Sequence, residues 1–165
     1  MNRGKKHAAV VIALASALVV LLASAATASG ASPKVTRVSF QDSYIDTSTC
    51  PGISLDTRLE GYVVVQMLSE TRVQVHQRLI YTVTANGKTF TDNESFTNFT
   101  DLTSGVQKFA GTVVNIQVSG YGNVLVDAGL LIFDPTTDPW TVLHIAGRHP
   151  LFYEGYAALC DYLAS

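Results

Sequence analysis

Three side chains in the C-terminal third of the chain, an acid, a histidine and an arginine, have types that could perform acid–base chemistry: Asp127, His144 and Arg148. If their strands pair so that Asp127 faces Ala146, His144 and Arg148 take the two diagonal positions, roughly 7–8 Å away. A carboxylate beside an imidazole and a guanidinium could donate and accept protons. The same residues also suit a structural ion pair. We assign none of them a catalytic role and expect Asp127 to pair with Arg148 or His144 on the face away from the core.

Other patterns with known chemistry are missing or badly placed. His144 and His149 are out of phase for chelating one metal ion from a single strand, and no third ligand is evident. No G-x-S-x-G occurs, and Gly120 and Gly122 fit a hairpin rather than the phosphate-binding start of a helix. We therefore expect neither a metal nor a cofactor.

The chain has two cysteines, Cys50 and Cys160, which lie near the two ends of its strand-rich part. In an exported protein such a pair most simply forms one disulfide. The alternatives are two buried free thiols or a bridge between two molecules. A disulfide would leave no thiol to act as a nucleophile.

The first 28 residues resemble a secretory signal peptide. Arg3, Lys5 and Lys6 precede an unbroken apolar run and two A-x-A cleavage sites. The alternative is an uncleaved membrane anchor, because the apolar run is just long enough to span a bilayer. Cleavage would leave residues 29–165 as one secreted, extracellular domain with eight basic and thirteen acidic residues, a net charge of −5. That charge argues against nucleic acids and anionic membranes as partners.

Apolar and polar residues alternate along most of the mature chain, as in half-buried β-strands. The Asn86-Gly87 pair predicts a tight hairpin. Helical spacing over Tyr153–Leu163 predicts a short closing helix, which the disulfide would tie back. The fold class is all-β, a single antiparallel barrel or sandwich of about eight strands. The strand-like segments are Val35–Ile45, Ile53–Leu59, Tyr62–Leu68, Arg72–Ala85, Lys88–Leu102, Phe109–Ser119, Val124–Phe133 and Trp140–Ala146.

The sequence also predicts which faces are buried. Lys88–Leu102 is polar and rich in threonine, so we expect an exposed edge strand. In the three strands after it, one apolar face should form the core, and Asp127 should lie on the other face. The aromatic end of that other face, near Phe133 and Trp140, should be covered by the closing helix. The predicted core face comprises Val114, Ile116, Val118, Val124, Val126, Ala128, Leu130, Ile132, Thr141, Leu143 and Ile145.

Short motifs along the mature chain resemble those of a group of small secreted proteins from high-GC Gram-positive bacteria to which no function is assigned. The motifs are Cys50 with Gly52, Asp127-Ala128-Gly129 before Leu130–Phe133, Gly147-Arg148, and Leu159-Cys160. The resemblance implies export but no mechanism. At the level of fold alone, the pattern is similar to the barrels of dirigent proteins, allene-oxide-cyclase-type proteins and lipocalins.

Three functions fit these features. The first is a non-enzymatic exported barrel that binds a small apolar ligand in its lumen, because an eight-stranded barrel can hold one ligand. The second is an isomerase or cyclase that uses Asp127. The third is a cell-envelope interaction module that pairs a partner strand with the threonine-rich edge Lys88–Thr100.

Overall fold

The computed structural model describes residues 35–165, and the predicted signal peptide lies outside these residues. Seven antiparallel strands form one sheet, and two short helices follow them. The all-β prediction with a C-terminal helical segment is therefore confirmed. The elements are β1 (Val35–Asp46), β2 (Leu55–Ser69), β3 (Arg72–Ala85), β4 (Lys88–Asp101), β5 (Gln107–Val118), β6 (Gly122–Asp134), β7 (Thr141–Arg148), α1 (Pro150–Glu154) and α2 (Ala157–Ala164).

Each strand pairs with its neighbours in the chain, so β1 and β7 are the two edges of the sheet. The connections β1–β2, β3–β4 and β5–β6 lie at one end, together with the helices, which we call the helix end. The other three connections lie at the far end. No helix within residues 35–165 is long and apolar enough to cross a membrane.

The sheet has seven strands rather than about eight because two predicted strands form one. Ile53–Leu59 and Tyr62–Leu68 belong to the continuous strand β2. Gly61, which lies between the two predicted strands, pairs with Phe40 on one side and Leu79 on the other. A Cβ atom at Gly61 would lie 2.2 Å from the carbonyl oxygen of Arg78, so this position needs glycine for close strand approach.

Strand β4 is not an exposed edge, contrary to prediction. It pairs with β3 on one side and β5 on the other. Its threonines at 89, 91 and 97 fall at partly or fully exposed positions, which gave the segment its polar character. The alternate positions are all buried: Phe90, Asp92, Glu94, Phe96 and Asn98.

The predicted core face of β6 is also wrong, because the pairing is one residue out of register. Val114, Ile116 and Val118 are buried as expected, but Ile116 pairs with Leu125 rather than with the Val124 face. Irregularities in the β5–β6 pairing produce this shift. The buried residues of β6 are therefore Leu125, Asp127 and Phe133. On the edge strand β7, the predicted core residues Thr141 and Leu143 are exposed and Ile145 is only partly buried.

The Cys50–Cys160 disulfide is present and joins the β1–β2 connection to α2. The closing helix is interrupted at Gly155, and both helices pack at the helix end. They do not cover Phe133 and Trp140, which lie at the far end. Asn86 and Lys88 of the β3–β4 hairpin each donate a hydrogen bond to a carbonyl of α2. The helices bury Leu151, Leu159 and Leu163 against Leu55, Val83, Ala85, Phe90, Val114, Ile116, Val118 and Leu125.

Candidate functional site

The structure does not bring the predicted set Asp127, His144 and Arg148 together. Asp127 pairs with Val114 in β5, and Ala146 pairs with Leu130, so the expected juxtaposition across β6 and β7 does not form. Asp127 is 4% exposed, whereas His144 and Arg148 are exposed on β7. The expected ion pair with Arg148 or His144 is therefore replaced by a different partner, on the buried face.

That partner is His149, which the sequence analysis considered only as a metal ligand and rejected in that role. Its Nδ1 lies 3.0 Å from Oδ1 of Asp127, and its Nε2 lies 3.1 Å from the carbonyl oxygen of Ala146. The other oxygen of Asp127 accepts the backbone N–H of Leu151, in the first turn of α1, at 3.0 Å. Burial raises the pKa of the Asp127 carboxyl, and the hydrogen bond from His149 opposes that rise. Both oxygens are occupied, so Asp127 fixes the start of the helices to β6.

The sequence prediction missed a polar layer in the middle of the inner face, the name that we give to the face of the sheet that carries the buried side chains. We use the name polar layer for Gln77, Tyr81, Asp92, Glu94 and Tyr156. Asp92 and Glu94 are 8% and 4% exposed and lie two residues apart, on the same face of β4. Gln77 Nε2 donates to Glu94 Oε2 at 3.1 Å. In the sequence, the alternation of Asp92 and Glu94 with Phe90 and Phe96 indicates that the two acids are buried. The exposed threonines between them give the segment a polar character that hides this pattern.

Burial controls the electrostatics of this layer. It raises the pKa of Asp92 to about 6, against hydrogen bonds from the backbone N–H groups of Asn115 and Asn93. It raises the pKa of Glu94 well above its usual value, and the charge of Asp92 adds to that rise. The pKa values of Tyr81 and Tyr156 are raised by burial and then by these carboxylates. Within residues 35–165 the one ion pair is Asp127–His149, so no cation pairs with either acid.

Such a layer can exchange protons near neutral pH. A carboxyl with a pKa of about 6 is close to the value that suits general acid–base chemistry. The same groups can also bind the polar end of a ligand, since the hydroxyls of Tyr81 and Tyr156 form no hydrogen bond with the described residues. Geometry alone is compatible with both roles.

An aromatic wall lines the inner face at the far end. We use this name for Phe96, Phe109, Phe133 and Trp140, whose successive ring centroids are 5.4, 5.5 and 5.3 Å apart. The three phenylalanines are buried, and Trp140 is 38% exposed. The wall therefore runs from the interior of the protein to its surface.

A second apolar surface lies on the same face of the sheet, mainly on strands β2 and β3. It consists of Val63, Val65, Val73 and Val75, with Phe40 and Met67 against them, and we call it the valine wall. The valine wall and the cluster around Phe96, Phe109 and Phe133 share no member. The two walls are thus separate packing units on one face.

No group of three or more His, Cys, Asp or Glu residues in the described part of the chain could hold a metal ion. Comparison of the chain with protein-family models, curated proteins and solved structures found no match. The candidate site therefore consists of the polar layer and the two walls, and its function must be inferred from its chemistry.

Proposed function

We propose that this protein is exported and binds a small, largely apolar molecule on its inner face at the far end, between the aromatic wall and the valine wall. The observation that carries the proposal is the continuous series of ring contacts from buried Phe96 to the partly exposed Trp140. Aromatic side chains offer large, rigid apolar surfaces, and ligand sites are typically apolar with a few convergent polar groups. The polar layer supplies those groups.

The inner face would have no room for a ligand if four large side chains filled it as one packed cluster. These side chains are Phe40, Tyr81, Phe90 and Phe109. They do not pack as one cluster. Phe90 and Tyr81 belong to the helix-end core, Phe109 belongs to the aromatic wall, and Phe40 packs against the valine wall. This separation supports the binding proposal.

Trp140 is the only tryptophan in the chain, so its fluorescence reports directly on the far end. We expect the neutral aromatic dye N-phenyl-1-naphthylamine to bind and to quench Trp140 by energy transfer. Phe109→Leu, which removes a ring but little volume, should weaken binding roughly tenfold. Phe99→Leu is the control, because Phe99 lies on the other face of β4. Absence of dye binding, together with no ligand in native mass spectra of secreted material, would refute the proposal.

A second candidate is an isomerase or cyclase that uses the polar layer, and the raised pKa of Asp92 beside Glu94 is the observation that favours it. Asp127 does not serve this role, because His149 and Leu151 occupy its oxygens. A ligand recovered from secreted protein should then change chemically on incubation with wild type but not with Asp92→Asn, although both bind it.

The surface predicted for an interaction module is not available to a partner strand, because Lys88–Thr100 is paired on both sides.

Export itself has a direct test. The intact mass of secreted protein should correspond to a chain that begins near residue 26 or 29, and a mass that still includes residues 1–25 would favour an uncleaved anchor.

A further inference from the structure

The pairing between β4 and β5 is interrupted at one place, and a cleft of about 240 Å³ lies there. The two residues between Asp92 and Ser95 have no cross-strand partners in β5. Interruptions of this kind, like β-bulges, are frequent beside functional sites, because they redirect side chains. The lining of the cleft comes from three strands: Arg78, Leu79, Ile80, Asn93, Glu94, Ser95, Thr112 and Asn115.

The part of this lining that can meet a ligand lies on the outer face of the sheet, opposite the inner face. Arg78 pairs with Ser95, and Ser95 pairs with Thr112, so these side chains form one row across β3, β4 and β5. Arg78 and Ser95 are exposed, and their neighbours in sequence are buried. Alternation therefore turns the side chains of Leu79 and Glu94 to the inner face, away from this row.

The outer-face side chains of the cleft combine hydrogen-bonding groups with a small apolar surface. Asn93, Ser95 and Thr112 can each donate and accept hydrogen bonds. Ile80 pairs with Asn93 and adds an apolar surface beside the amide. The side-chain oxygen of Asn115 is buried, so it is not one of the groups that meet a ligand. A molecule that fits this surface carries both hydroxyl groups and C–H groups.

Arg78 adds a positive charge to the same row. It forms no ion pair within residues 35–165. Glu60 lies on the same face of the sheet, but it pairs with Ile80 rather than with Arg78. On the β2 side Arg78 pairs with Tyr62, and the guanidinium of Arg37 lies 3.9 Å over the Tyr62 ring, so a second cation is held nearby. The charge of this surface therefore favours an anionic group on the ligand.

We propose that this outer-face cleft binds an acidic sugar, a saccharide unit that carries a carboxylate. The carboxylate pairs with Arg78, because a guanidinium binds a carboxylate through two parallel hydrogen bonds. The sugar hydroxyls bond with Asn93, Ser95 and Thr112, and the C–H groups of the ring pack on Ile80. The cleft lies on the opposite face of the sheet from the aromatic wall and the valine wall, so this inference does not depend on the binding function proposed above.

The test is a titration of the secreted protein followed by backbone and side-chain amide NMR, with D-glucuronate as the acidic sugar. D-glucose supplies the ring without the carboxylate, and acetate supplies the carboxylate without the ring. D-glucuronate should shift the side-chain amide of Asn93 and the backbone amides of Ser95 and Thr112. D-glucose and acetate should each need roughly tenfold higher concentrations or more, because each loses one set of contacts. An equal response to acetate and D-glucuronate would overturn the assignment of a sugar site.

Two variants separate the contacts. Arg78→Gln should weaken D-glucuronate binding roughly tenfold and leave D-glucose binding unchanged. Thr112→Val replaces the hydroxyl with a methyl group and should weaken the binding of both sugars. Arg58→Gln, at an exposed position on the same face of β2, is the control and should have no effect. Absence of shifts with D-glucuronate, or binding that is insensitive to Arg78→Gln, would refute the proposal. Because Arg78 is exposed, its variant tests the idea even if Thr112→Val fails to fold.

Discussion

Asp127 of β6 and His149, the residue before α1, form a buried ion pair 3.0 Å across, and the second oxygen of Asp127 holds the backbone of Leu151. One carboxylate thus connects the sheet to the segment that covers the helix end. Removal of either partner would leave the other buried and unpaired, which is more costly than loss of an exposed ion pair.

Asp127→Asn should lower the free energy of unfolding by about 3 kcal/mol at neutral pH, because it removes the charge that faces His149. Urea unfolding measures this change. The matched controls are Arg148→Gln and His144→Ala, which alter exposed side chains of β7 and should change stability by about 0.5 kcal/mol or less. Equal effects of all three substitutions would contradict the structural role of Asp127.

Stability should increase as the solution is acidified from about pH 7 to about pH 4. The folded-state pKa of Asp92 is about 6, above its usual value of 3.8, so folding favours the protonated carboxyl. Its stabilising contribution is complete below the unfolded pKa and is lost as the pH rises through the folded pKa. The expected difference from this residue is roughly 2–3 kcal/mol, and Glu94 acts in the same direction.

Asp92→Asn should flatten this pH profile and make the protein more stable than wild type at pH 7, because the amide is never charged. Asp56→Asn, at an exposed position of β2, serves as the control and should retain the wild-type profile. Denaturant unfolding at intervals between pH 4 and pH 7 provides the measurement. A wild-type stability that falls steadily with acidification over this range would show that Asp92 is ionised without penalty.

The double variant Cys50→Ser/Cys160→Ser should melt at a lower temperature than the oxidised wild type. The bridge closes a loop with a sequence separation of 110 residues, which constrains the unfolded chain by up to about 4–5 kcal/mol in the chain-entropy model. Wild type in reductant should melt like the variant, and the variant should ignore reductant. Two reactive thiols in denatured, unreduced native protein would show that the bridge is absent.

Gly129→Ala should destabilise the junction of β6 and β7 by about 2–3 kcal/mol. A Cβ atom there would lie 2.2 Å from the carbonyl oxygen of Ala146 and 2.8 Å from Nε2 of His149. Gly120→Ala is the control, since Gly120 also has a positive φ but has no atom within 4 Å of the added carbon. It should cost about 1 kcal/mol, from backbone conformation alone. Equal costs for the two variants would disprove the close-approach argument.

The sequence was sufficient for the strand class, the disulfide and most strand positions, because these depend on local alternation and on the number of cysteines. It was insufficient for the β5–β6 register. The added residue that places Leu125 rather than Val124 opposite Ile116 is a bulge, and alternation of apolar residues on both faces of β6 gives no sign of it.

The candidate site was harder to predict for the same physical reason. Asp92 and Glu94 lie among exposed threonines in a segment whose average polarity resembles that of an edge strand. Only their alternation with Phe90 and Phe96 indicates burial. His149 follows the last strand, so its contact with Asp127 depends on how the chain turns into α1, which no periodic pattern records.

The position of the two cysteines in the strand order has a consequence for biogenesis. Because each strand pairs only with its sequence neighbours, hairpins can form successively as the chain emerges, whereas Cys160 lies in the last helix, α2. Cys50 must therefore wait until all seven strands have been made, and with only two cysteines no incorrect intramolecular pairing is available to it. Formation of this disulfide therefore marks covalently that α2 has docked on the sheet.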